Sequence, residues 1–134
     1  MDDAADVVAA RNARYRVVEH AAMRRAEIRV VGCDYGATSY TTRAQADLMA
    51  GRLALAPGRL LLDVGTGAGW PGIYLAATTH ARVVLSDIPW QGLRVAARRV
   101  ADDHVAADVI AASATALPFR DATFDAVTSS DVMC

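Results

Sequence analysis

Three alternating glycines, Gly65, Gly67 and Gly69, follow directly on the apolar run Leu60-Leu61-Leu62-Asp63-Val64 and restrict this chain more than any other segment. A short apolar run bounded by glycines reads as a strand buried on both faces. Pro71 suits the first position of a helix, and Ile73, Leu75 and Ala76 continue one. Glycine in such a turn permits positive φ and lets a ligand approach bare backbone. A strand, a glycine turn and a helix in immediate succession commit the chain to α/β architecture.

The remainder of the chain repeats that alternation. Arg82 to Ser86 reads as a second strand, and Trp90 to about Ala101 as a helix with Leu93, Ala97 and Val100 on one face. Val109 to Ala111 is a weaker third strand, and Phe124 to Thr128 a fourth after the Pro118–Ala122 turn. Alternation of this kind predicts a Rossmann-like parallel sheet of about four strands with right-handed crossovers. Ahead of it, Asp3 to Val31 reads as one amphipathic helix, and Gly32 to Tyr40 as a turn. A further helix starts at Thr42-Arg43-Ala44-Gln45, a capping-box pattern, and stops before Pro57-Gly58. Residues 1–56 are thus expected to form an N-terminal helical segment and residues 57–134 the Rossmann-like part.

Two ligands compete for the glycine turn. Gly67, Gly69 and Gly72 satisfy G-x-G-x-x-G, the dinucleotide pattern, but that frame puts Trp70 and Pro71 inside the turn that must wrap phosphate. The alternative frame is acid-x-G-x-G-x-G, beginning at Asp63. A carboxylate there opposes a diphosphate: two unit charges 4 Å apart at an effective dielectric of 20 interact by about 4 kcal/mol. It favours instead a ligand with ammonium and sulfonium groups, such as S-adenosylmethionine. Asp87 ends the second strand, 20 residues after Gly67, where an acid can accept both ribose hydroxyls. Ile88 beside it suits one face of an adenine ring.

These segments resemble the class I S-adenosylmethionine-dependent methyltransferases. Leu60 to Gly69 is similar to their first motif, and Leu85-Ser86-Asp87-Ile88 to their second-strand acid motif. Ala114-Thr115-Ala116-Leu117-Pro118-Phe119, followed by Phe124-Asp125-Ala126-Val127, resembles the small-molecule, type 11 branch that includes ubiquinone/menaquinone C-methyltransferase-like enzymes. The resemblance implies that Asp63, Gly65, Thr66, Gly67 and Gly69 line the methionine part of S-adenosyl-L-methionine, that Asp87 binds ribose, and that Ile88 packs on adenine. It also implies that Ser113 and Ala114 lie by the adenine amine. Ser113 stands where the family often has Asp, which weakens that contact. Ser129 takes the position facing the sulfonium and the substrate, and Tyr35 or Tyr40 is a candidate to close over the cofactor.

Composition narrows the remaining classes. Hydrophobic residues make up 54% and charged residues 22%, enough for a core and too apolar for disorder. All fourteen cations are arginine, and a net charge of -1 offers no global basic field, which speaks against a nucleic-acid partner. No apolar run approaches the ~20 residues of a membrane span. The acidic N-terminus lacks a signal-peptide layout, and the distant Cys33 and Cys134 make neither a disulfide framework nor a metal site. A cytoplasmic protein is expected.

Methyl transfer needs alignment of donor and acceptor more than acid–base chemistry. His80 and His104 are expected at the end of the sheet opposite the glycine turn, and no catalytic residue is assigned. Asp131, just past the fourth strand, is better placed. The resemblance implies a seven-stranded sheet in order 3-2-1-4-5-7-6, whereas this sequence stops at the fourth strand, as an N-terminal portion would. Phe124 to Val132 is then an open apolar edge, a template for self-association. The leading reading is the N-terminal part of a methyltransferase acting on a small-molecule acceptor. The alternatives are a non-catalytic S-adenosylmethionine-binding or interaction module, and a dinucleotide-binding fragment.

Overall fold

A computed structural model describes residues 3–33 and 39–132. Its centre is a four-stranded, wholly parallel sheet of β1 (Leu60–Val64), β2 (Arg82–Asp87), β3 (Ala107–Ala111) and β4 (Ala126–Ser129), in the order β3-β2-β1-β4. Two crossovers are helical: α4 (Gly72–Thr79) joins β1 to β2 and α5 (Trp90–Asp102) joins β2 to β3. Three helices precede the sheet: α1 (Asp3–Tyr15), α2 (Ala21–Val30) and α3 (Arg43–Arg52). The expected Rossmann-like architecture is therefore present.

Register fixes which side chains enter the core. Leu61 and Asp63 of β1 pair with Val83 and Leu85 of β2 and with Ala126 and Thr128 of β4, so one face collects all six. That face packs on α4 through Ile73, Leu75 and Ala76. Val31, Ala46 and Leu55 from the preceding helical segment belong to the same cluster, so the apolar core runs continuously across residue 56.

Three sequence boundaries shift. The long helix expected from Asp3 to Val31 is two helices, broken at residues 16–20. There Tyr15 and Val18 turn inward onto Ala68 and Val95. The third strand starts earlier, at Ala107. The fourth starts later, at Ala126, because Phe124 is engaged edge-on with Phe119 at 4.8 Å. Asp125 meanwhile accepts the Leu60 N–H at 2.8 Å and ties the start of β4 to that of β1. The capping box forms as its pattern predicts: Thr42 accepts from the Gln45 N–H, and the Gln45 side chain accepts from the Thr42 N–H.

Candidate cofactor site at the glycine loop

Residues Gly65 to Pro71 form the turn between β1 and α4. Gly65, Gly67 and Gly69 have φ of 74°, 57° and 99°, values that L side chains rarely adopt. Space forbids a side chain as well. A Cβ on Gly67 would meet the Tyr15 hydroxyl, one on Gly65 would meet Val132, and one on Gly69 would meet Ile73.

The amides of this turn point inward. Gly65 N and Thr66 N donate to Ser86 O at 2.7 and 3.1 Å, and Gly69 N and Trp70 N donate to Thr66 O at 2.9 and 3.1 Å. Gly67 N donates to Asp87 Oδ2 at 2.7 Å. A phosphate-binding turn must aim such donors at its ligand. Here five are already satisfied within the chain.

Asp63 stands apart from the expectation that it lines a ligand. Its side chain is fully buried and accepts from Thr66 Oγ1 at 2.7 Å, Gly72 N at 3.0 Å and Thr128 Oγ1 at 3.0 Å. The carboxyl thus ties the turn, the first amide of α4 and β4 together from the core side. Burial pushes its pKa up from 3.8 to about 7, against the lowering effect of those three bonds. It is therefore no full exposed anion at neutral pH. The charge repulsion inferred from sequence is replaced by a geometric fact: Asp63 has taken the helix amide that a diphosphate would need.

Asp87 is placed differently. It is half-buried at the end of β2, accepts the Gly67 and Ile88 N–H groups at 2.7 Å each, and lines a cavity of about 190 Å³. Ile88, Pro89, Ala112 and Ala114 share that cavity, and Ile88 is about half exposed. Each carboxylate oxygen retains acceptor capacity for a hydroxyl. Ser113 sits beside this wall with its hydroxyl bonded to Thr115 Oγ1 at 2.8 Å.

A second cavity, of about 230 Å³, lies on the other side of Gly65 and is bounded by Gly65, Thr66, Gly67 and Trp70. Val132 and Arg11 line both cavities. Ser129 does not line either one. It pairs with Val64 in the sheet and borders a separate groove against α3, while Ser130 and Asp131 line the glycine-loop cavity. Asp131 Oδ2 accepts from the Ser39 hydroxyl, from Tyr40 N at 3.0 Å and from both Thr41 N and Thr41 Oγ1. The Ser39 bond leads in holding its carboxyl below the usual carboxylate range. Tyr40 borders the same cavity and is largely exposed, whereas Tyr35 and Cys134 lie outside the described residues.

Sequence reasoning missed α1 altogether as part of this site. Arg11, Arg14 and Tyr15 line the larger cavity. Asn12 Oδ1 accepts the Gln91 N–H at 2.9 Å, docking α1 on the first turn of α5. The available signal was the small residue Gly92, whose missing Cβ admits both the Gly67 carbonyl and Tyr15. His80 and His104 follow α4 and α5, far from the glycine turn along the sheet. Among the described residues no group of His, Cys, Asp or Glu has metal-binding geometry, and no helix is long and apolar enough to cross a membrane.

Known proteins resemble this chain in sequence and fold. A family model described as a methyltransferase domain matches residues 61–134. Demethylmenaquinone methyltransferase of Clavibacter sepedonicus is 45% identical over 80 residues, covering 58% of this chain and 31% of that protein. Methyltransferase GfsG of Streptomyces halstedii is 36% identical over 86 residues, covering 61% and 30%. Among solved structures, the [4+2]-cyclase SpnF superposes with a TM-score of 0.59 at 29% identity over 63% of this chain and 32% of that one. An S-adenosylmethionine-dependent methyltransferase from Thiobacillus denitrificans, in complex with S-adenosyl-L-homocysteine, has a TM-score of 0.58 at 21% identity over 66% and 36%, and so shares the fold. The chain spans about a third of the length of the curated relatives it matches.

Proposed function

Because this chain belongs to the methyltransferase domain family, we propose that it binds S-adenosyl-L-methionine at the glycine loop and forms the cofactor-binding part of an enzyme that methylates a small-molecule acceptor. The observation that carries this reading is the inward aim of the loop amides, with Asp63 closing the first amide of α4. A ligand without phosphate suits such a loop. The residues present fit the cofactor: two cavities flank Gly65, together within the size of small-molecule sites (roughly 300–1,000 Å³), with a ribose-competent carboxylate and an apolar Ile88 on one side.

In this reading Asp87 accepts the ribose hydroxyls, and Ile88 and Ala114 cover the adenine faces, with Ser113 next to its edge. Gly65, Thr66 and Gly67 bound the methionine arm, and Asp63 positions the loop without touching the ligand. When bound, the cofactor supplies a methyl carbon activated by its positive sulfur. The chain's part is to fix that carbon's direction and exclude water, an alignment that can lower a barrier by ~7–11 kcal/mol. Asp131, held by Ser39, Tyr40 and Thr41, orders the wall facing the acceptor.

The proposal includes a cytoplasmic setting, which suits a chain with only two cysteines and so no disulfide framework. It also includes association with a second copy through β4, which is bonded to β1 alone among the described strands and exposes Val127 in the groove that Leu48 also lines. A non-catalytic S-adenosylmethionine-binding module remains the second reading. The cyclase among the fold's neighbours favours keeping it, since the fold alone does not fix methyl transfer.

Isothermal titration of the chain with S-adenosylhomocysteine and with NAD tests the proposal. Binding of the first with no heat from the second is expected, and the reverse pattern would overturn it.

A further inference from the structure

Helix α2 is held at its two ends and left bare between them. Just before it, Val18 is buried with Ala68 and Val95. Just after it, Val31 enters the main core, and its carbonyl accepts the Arg43 N–H at 2.8 Å. Of the ten residues Ala21–Val30, only Glu27 is buried. A helix of that length is marginal in water unless an apolar face packs, yet Ile28 and Val30 are 51% and 75% exposed. The core accounts for the anchors of α2 but not for its outer side chains.

Charge is unevenly distributed over the same stretch. Residues 16–30 contain four arginines and two acids. Both acids are drawn away: Glu27 is buried, and Glu19 is paired with Arg98 of α5. Arg24 is engaged within the chain, whereas Arg16, Arg25 and Arg29 are exposed. On α2 the pair Arg25 and Arg29 runs beside the row of Ala22, Ala26 and Val30, both at i, i+4 spacing and both away from Glu27. Ile28 lies next to the cations, so guanidiniums and apolar side chains share one convex surface.

That combination selects the partner. A polyanion such as RNA would use the guanidiniums and gain little from Ile28 or Val30, and an apolar groove on another protein would have no use for the cations. A bilayer surface with anionic headgroups accepts both at once. Guanidiniums reach lipid phosphates, while their methylene stems and the apolar side chains enter the boundary with the acyl chains. We propose that α2 docks this chain reversibly on an anionic lipid surface through Arg25, Arg29, Ile28 and Val30. The docking is independent of the cofactor reading and needs no membrane-spanning segment. Few apolar side chains make it weak and salt-sensitive.

The test is flotation of the whole chain with phosphatidylcholine vesicles, with and without phosphatidylglycerol as one lipid in three. Arg25→Gln with Arg29→Gln removes the cations, and Ile28→Ser with Val30→Ser removes the apolar contacts. Arg52→Gln with Arg120→Gln removes the same charge from exposed positions elsewhere. Each variant is first checked for an unchanged thermal melt; should the serine pair lower it, the two arginine pairs decide. RNA and polyglutamate are titrated as alternative anions.

Binding to the anionic vesicles should exceed that to neutral ones roughly tenfold or more, and fade as salt is raised. Loss of Arg25 and Arg29 should weaken it roughly twentyfold, at about fivefold for each basic side chain, while the control pair changes it less than about threefold. The serine pair should weaken it about fivefold. The proposal is overturned if neutral vesicles are bound as well as anionic ones, if the control pair loses as much as the α2 pair, or if the folded serine pair binds like the unmodified chain. It is also overturned if the chain stays off anionic vesicles, whether or not RNA or polyglutamate engages Arg25 and Arg29.

Discussion

Asp63, one residue before the end of β1, and Asp87, the last residue of β2, lie on neighbouring strands and are opposite in circumstance. Asp63 is enclosed by Thr66, Gly72 and Thr128, and burial raises its pKa to about 7. Asp87, one strand over, takes only backbone amides and opens on a cavity. The difference follows from position along the strand. Asp63 shares a face with Leu61 and points at α4, whereas Asp87 ends its strand where the chain leaves the sheet. The same side chain thus serves as an internal brace in one strand and as a cavity-facing acceptor in the next. The glycine loop between them is held from both sides.

The largest change should come from breaking that shared loop. Gly67→Val forces a β-branched residue into φ of 57° and drives its Cβ into Tyr15. S-adenosylhomocysteine binding should fall below detection in a titration that resolves a hundredfold loss. Retained affinity would mean that the loop is no part of the site.

Asp63→Asn sharpens the contrast through stability. An amide nitrogen then faces at least one of three donors, at a cost of about 1–3 kcal/mol in urea unfolding. Its pH dependence carries a definite sign. The folded chain holds the Asp63 proton up to about pH 7, and the unfolded chain releases it near 3.8, so this group's stabilisation is complete below that lower value and is lost as pH rises to about 7. The stability of the unmodified chain relative to the Asn variant should decline across that window and level off above it. A difference that rises with pH would contradict the buried placement.

Asp87→Asn should do the converse. Unfolding free energy should move by less than about 1 kcal/mol, whereas S-adenosylhomocysteine affinity drops roughly ten- to a hundredfold through its ribose contacts. Equal losses in both variants would erase the distinction between the two acids. Ser129→Ala marks the smallest effect: with that residue on the α3 groove, affinity should change less than twofold.

Much of this was legible in the chain itself. The loop, the second-strand acid and the parallel order rest on local patterns, namely glycine spacing, apolar runs and turn residues, and those survive in the fold. The direction of Asp63 was not: Leu61, Leu62 and Val64 make the run apolar on both faces, so nothing local says whether the acid points into the core or at a ligand. Contributions from α1 were illegible for a different reason. Tyr15 against Gly67 and Asn12 on Gln91 are contacts between distant segments, and nothing local in Asp3–Tyr15 distinguishes the faces of Arg11 and Arg14 from an ordinary solvated helix. The break after Tyr15 is tertiary too, set by Val18 entering the pocket of Ala68 and Val95.

Backbone amide NMR of the chain during titration with S-adenosylhomocysteine examines the glycine-loop assignment at residue level. The Gly67 and Ile88 amides, both bonded to the Asp87 carboxylate, should shift together with Gly65, while Ser129 and the α3 groove stay still. Shifts confined to β4 and α3, with Gly67 and Ile88 unmoved at saturation, would contradict it.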